Sequence, residues 1–182
     1  MGAATVTLGL AGLGLSATSA QAATNDAVDP AAGQFVEGPG APDAAHPGAK
    51  FDEGLYKTFA GMDNQSFNTV RNALMSQNPD DESNPELRQR EQELQRSFYS
   101  NGCTGVPSSF VSQRTTNACA QHDFRYTVGP NVYGEQTEAG KAERAAADAQ
   151  LGENIGGWTG AGAKLLTNQV GGWFFKSTPT AG

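Results

Sequence analysis

The chain has 182 residues, 37% of them apolar, and a formal net charge of -7 from 12 Lys and Arg against 19 Asp and Glu. That size and composition fit one ordinary globular domain with some additional chain. The acidic balance, with no cluster of basic residues, argues against nucleic acid as a partner, because phosphate binding draws its affinity from Lys and Arg that release counterions.

Residues 1–22, MGAATVTLGLAGLGLSATSAQA, are small and apolar and end in Ala20, Gln21 and Ala22, an A-x-A cleavage signature. They are expected to be a signal peptide, although no Lys or Arg stands near Met1. A secreted, extracellular protein follows. The stretch is too short and too Gly-rich for a membrane span of ~20 residues, and nothing later in the chain approaches that length. Residues 23–50, rich in Pro, Ala, Gly and Asp with Phe35 and a few Val as apolar anchors, are expected to be a flexible leader or propeptide. His46 lies there. A folded domain over 51–182 then contains a single histidine, His122.

In that domain the periodicity is helical. Phe67, Val70 and Leu74 recur at i, i+3 and i+7 after a cap at Asp63 or Ser66, and the stretch from Pro79 to Pro85 ends that helix. Asn84 and Pro85 open a second helix with Leu87, Leu94 and Phe98 as its apolar stripe and RQREQE as its solvated face. A third helix is expected from Thr116 to Val128, ended by Gly129 and Pro130. The Ala-rich stretch TEAGKAERAAADAQLGENI starts a fourth at Thr137, and a last helix spans 163–176. No long strand and no internal repeat is visible, so the fold class is all-α.

Cys103 and Cys119 are the only cysteines, and an exported chain matures where thiols oxidise. A bridge between them would close a loop of roughly 15 residues and contribute about 3 kcal/mol. The alternative is two buried free thiols.

Cys119, His122 and Tyr126 fall on one side of a helix at i, i+3 and i+7, while Asp123 is turned about 100° away. A buried histidine needs a partner for its second ring nitrogen. Asp148 is the candidate, because it shares a stripe with Leu151 and Ile155, where a carboxylate is costly unless hydrogen-bonded. Glu138, Glu143 and Glu153 lie off that stripe and are expected to be solvated. A His–Asp pair that only staples two helices is the competing reading. Asp123, near the turn of Asn101, Gly102 and Cys103, offers hard oxygen of the kind calcium takes, or is an ordinary exposed acid. A lone histidine without further ligands at metal spacing argues against zinc.

C-x-x-H-D-x-x-Y, present as Cys119, His122, Asp123 and Tyr126, resembles the active-site helix of secreted phospholipases A2, and most of all their bacterial and fungal branch, whose helix reads like ACxRHDFGY. Cys103, inside NGCT, matches that branch's calcium-loop cysteine, and the Ala-rich helix matches the one carrying its partner aspartate. The likeness covers roughly residues 85–175. It implies a small disulfide-linked domain with two long antiparallel active-site helices and a Cys103–Cys119 bridge. It also implies a monomeric, peripheral enzyme that hydrolyses the sn-2 ester of glycerophospholipids at a membrane surface with Ca2+.

By the same resemblance, His122 draws a proton from water and Asp148 orients the imidazole. Asp123, the Gly102 carbonyl and the Asn101 side chain hold the metal, and Tyr126 supports the site. Two positions depart from the branch. Asn101 stands where it has Asp, which lowers the charge available to calcium, and Arg125 stands where it has Gly. The alternatives are a catalytically silent relative that binds membranes or a receptor, and an enzyme for a different ester. Trp173, Phe174 and Phe175 could form an interfacial lip or pack the last helix.

Overall fold

The computed structural model of the chain describes residues 35–36, 38–103, 112–155 and 175–181. All of them belong to one compact unit, Ala31–Gly182. The expected signal peptide, residues 23–34 of the expected leader, Trp173 and Phe174 lie outside the described residues. So does the expected last helix except for Phe175 and Lys176, which are not helical.

The unit is all-α. Among the described residues there are five helices, α1 (Glu53–Ala60), α2 (Asn64–Met75), α3 (Pro85–Ser97), α4 (Gln113–Tyr133) and α5 (Glu138–Ile155), plus a 3-10 turn at Pro79–Asp81. The sole β pairing among them is an isolated bridge between Gly48 and Thr180. None of these helices is long and apolar enough to cross a membrane.

Side chains cap the helix starts where orphan N–H groups need acceptors. Asp63 Oδ1 accepts from the Ser66 N–H at 2.8 Å, which places the α2 cap at Asp63 and not at Ser66. Asn84 caps α3 with Pro85 in its first turn, and Thr137 Oγ1 accepts from the Gly140 N–H at 3.0 Å at the start of α5. The sequence pattern marks no helix before Asp63. Asp52 nevertheless caps α1, and Tyr56, Phe59 and Ala60 give that short helix a buried face.

Helix α4 is longer than expected at both ends. It starts behind the cap Ser112 and runs through Pro130 to Tyr133, ending at Gly134 with φ of +82°. Pro130 lacks the N–H that would bond the Tyr126 carbonyl, but it sits in the last turn, so the loss is confined to the helix end. Gly140 is needed where α5 begins, since a Cβ there would stand 1.8 Å from the Gly134 carbonyl oxygen.

The main core is aromatic. Phe51, Tyr56, Phe59, Phe67, Phe98 and Phe124 come together from α1, α2, α4 and the segments flanking α1 and α3. The Phe98 and Phe124 rings stack at 4.6 Å, within the range where ring pairs add to simple area burial. That stack fixes the end of α3 against α4 one residue after Asp123, which brings the turn at 100–103 beside the motif.

Three expectations change. The segment before residue 51 is not a free leader where it is described. The Gly48 N–H donates to the Pro179 carbonyl and the Ala49 N–H to the Glu93 carbonyl, while Phe35 and Val36 pack on the core. Backbone groups paired in this way belong to the fold, so the described residues from Phe35 onward pack as part of the folded unit. The stripe of α3 is also shifted, with Leu87 45% exposed. Glu93, expected on the solvated face, is buried and accepts from Gln89 at 2.7 Å.

Candidate functional site

Helix α4 packs most extensively on α5. Its partners run in reverse order, from Arg114 with Asn154, through His122 with Asp148, to Arg125 with Glu143, so the two helices are antiparallel. Small residues at the crossing, Ala118 and Ala147, are fully buried and let the helices approach.

His122 Nε2 lies 2.9 Å from Asp148 Oδ1. Asp148 is 1% exposed and His122 keeps 11% of its side-chain surface accessible, so the acid is inside and the ring reaches the surface. Tyr126 O–H donates to the same Oδ1 at 2.6 Å, and its ring lies on the imidazole at 4.1 Å between centroids. Burial and the Asp148 carboxylate both raise the Tyr126 pKa, which keeps the phenol a donor. A carboxylate accepts only, so Nε2 carries the ring proton and Nδ1 holds the lone pair. Asp148 Oδ2 is buried with no hydrogen-bond partner among the described residues.

The Nδ1 side of the ring faces the second carboxylate of the motif. Asp123 Oδ1 is 4.0 Å from Nδ1, and its side chain is 30% exposed. Ser100 O–H donates to Asp123 Oδ2 at 2.6 Å, and the Gly102 N–H donates to Ser100 Oγ at 3.1 Å. The surrounding protein raises the Asp123 carboxyl from 3.8 to about 6, against the opposing influence of Ser100, His122 and Arg71.

The disulfide forms between Cys103 and Cys119, with Cα atoms 5.4 Å apart, and leaves no free thiol. It ties the turn at 100–103 to α4 one helical turn before His122. Asn101 is exposed, and Gly102 adopts φ of +75°, a conformation that other residues rarely take. His122, Asp148, Tyr126, Asp123 and the turn of Asn101 and Gly102 are therefore brought together.

The donor set suits a hard cation in kind. It combines a partly buried carboxylate that is charged at neutral pH with a backbone turn and an amide side chain, all oxygen donors. It is sparse in charge, because no group of three or more His, Cys, Asp or Glu that could hold a metal occurs among the described residues.

Several contributors carried no sequence signal. Ser100 has none beyond standing next to Asn101. Arg71 lies on the buried face of α2, four residues after Phe67, and is fully buried. Its Nε donates to the Phe98 carbonyl at 3.0 Å, its Nη1 to the Val36 carbonyl at 2.9 Å, and its guanidinium covers the Phe35 ring at 4.5 Å. Burial brings its pKa down to about 10.

Glu143, expected in solvent, is 12% exposed and bonded to Arg125. It accepts from Arg125 Nε and from Tyr56 O–H, both at 2.6 Å, while Arg125 Nη1 donates to Gln150 Oε1 at 2.8 Å. Arg125 thus clamps α4 to α5, with Glu143 reaching α1. Phe175 is buried with its ring edge-on to Tyr126 at 5.3 Å, so of the two readings of this aromatic residue, lip or packing, it takes packing.

Compared with known protein families, curated proteins and solved structures, the chain finds no match.

Proposed function

We propose that this chain is a secreted, calcium-dependent phospholipase A2 that hydrolyses the sn-2 ester of glycerophospholipids at a membrane surface. One observation carries the reading. His122 is held by Asp148 through Nε2 at 2.9 Å, so that Nδ1, the basic atom, faces Asp123 at 4.0 Å. A pair that served only to staple two helices has no need to present its free nitrogen to a second carboxylate. The antiparallel α4 and α5 joined by this pair, with a disulfide to the turn before α4, support a phospholipase A2-like fold.

The chemistry follows from the residues. His122 Nδ1 takes a proton from water as its oxygen adds to the ester carbonyl. Asp148 fixes the tautomer and stabilises the imidazolium that forms. When the tetrahedral adduct collapses, the alkoxide of the glycerol backbone leaves and takes that proton from Nδ1. The products are a free fatty acid and a lysophospholipid. The Asp123 carboxylate, the Gly102 carbonyl and the Asn101 side chain would hold calcium, which when bound would supply positive charge for the ester oxygen. Phospholipid labelled in only one acyl chain tests the reading, since label must be released from the sn-2 and not the sn-1 position.

A catalytically silent relative that binds membranes is the second reading. It is favoured by a single carboxylate at the ion site, with the buried Arg71 cation acting on it. Vesicle binding without fatty-acid release would select it.

A further inference from the structure

Ser100 is 1% exposed, belongs to no helix, and has no role in the chemistry above. Its surroundings define one. A hydroxyl has a single proton to donate, and Ser100 gives it to Asp123 Oδ2 at 2.6 Å, the short distance of a charge-assisted bond. Ser100 Oγ in turn accepts the Gly102 N–H at 3.1 Å. Ser100 Oγ therefore bonds both the carboxylate on α4 and the backbone of the turn in which Gly102 takes a positive φ.

Ser100 is itself held in place. Arg71 grips the Phe98 carbonyl at 3.0 Å two residues earlier, and the Phe98 ring is stacked on Phe124. The disulfide at Cys103 fixes the other side of the turn. A nucleophilic role does not fit, since this hydroxyl is sealed from solvent and its proton is committed to Asp123 and not to His122.

We propose that Ser100 is the positioning residue of the ion site, locking the Asp123 carboxylate and the Gly102 turn into one arrangement so that calcium affinity depends on its hydroxyl. The inference rests on the phospholipase reading and adds a residue to it. With Oδ2 held by Ser100, Asp123 Oδ1 lies 4.0 Å from His122 Nδ1. A carboxylate oxygen has two lone pairs, so the Ser100 bond still leaves Oδ2 able to share in coordination. Partners that orient a ligand in this way typically set metal affinity by about 10–100-fold.

Calcium titration calorimetry on the oxidised protein, near neutral pH, tests this without any turnover. Ser100→Ala is expected to raise the calcium Kd by about 10–100-fold, while Ser100→Thr, which keeps the hydroxyl, stays within about threefold of wild type. A role in packing alone would not move the Kd in this pattern. Wild type that binds calcium with a Kd unchanged in Ser100→Ala would overturn the positioning role and leave the enzyme reading standing. Equal weakening by Ala and Thr would also overturn it, by showing that fit and not the hydroxyl matters. Wild type with no calcium binding would overturn both.

Discussion

His122 and Asp148, 26 residues apart on antiparallel helices, meet through Nε2 and Oδ1 at 2.9 Å, and Tyr126 donates to the same oxygen. The buried acid makes the ring directional, with one nitrogen spent and the other free. Asp148→Asn keeps the shape and an Oδ1 acceptor for both donors but removes the negative charge that stabilises the imidazolium, and it puts an NH2 at the buried position of Oδ2. Turnover should fall by about 10²–10⁴-fold, with the circular dichroism of the folded protein retained. Near-normal fatty-acid release would show that Asp148 does not orient His122.

Arg125 is bound to the second helix of the pair. It meets Glu143 and Gln150 across the α4–α5 interface, and Tyr56 O–H completes the cluster from α1. Removing one member of a buried ion pair leaves a charge without compensation. Arg125→Met is expected to cost about 3–5 kcal/mol of unfolding free energy, and Arg125→Met with Glu143→Gln appreciably less. Denaturant titration of both variants checks this; equal losses would mean that the pair is not coupled.

Asp123 makes stability depend on pH. Its folded-state pKa, raised by burial to about 6, lies above the ordinary 3.8. Between those values the native chain holds a proton that the unfolded chain has released. The favourable contribution of this group is therefore complete below the lower value and is lost as pH rises through the upper one. Asp123→Asn removes the titration and keeps an oxygen acceptor for Ser100. Without calcium, its stability relative to wild type should grow by about 1–3 kcal/mol between about pH 4 and 7. A difference that stays constant with pH would contradict the raised pKa.

The segment before α1 belongs to the folded unit, because Val36 supplies a carbonyl and Phe35 a ring to the buried Arg71. Deleting residues 1–37 should lower the unfolding free energy by about 1–3 kcal/mol, the scale of a buried donor left unsatisfied. Thermal and denaturant unfolding read the change. Unaltered stability would return the segment to the status of a dispensable leader.

What was legible in the sequence obeys local rules. The Asn84 cap, the buried stripe of Asp148 with Leu151, and the shared face of Cys119, His122 and Tyr126 all follow from spacing along one helix, and the structure reproduces them. What was not legible joins distant segments through polar atoms. Tyr56 meets Glu143 across 87 residues and Arg71 meets Val36 across 35, and neither pair leaves a periodic trace. Glu143 was placed in solvent because no apolar neighbour marks its side of α5; an arginine from α4 is what buries it. A serine in a loop carries no pattern of its own, and only the fold places Ser100 on Asp123.

Fatty-acid release from mixed phospholipid vesicles by the oxidised protein is the most direct measurement, made with calcium or with chelator, for wild type and His122→Ala. Wild type should release fatty acid with calcium and lose that activity with chelator, and His122→Ala should be inactive in both. No calcium-dependent release by wild type, or equal release by His122→Ala, would contradict the assignment of His122 as the base.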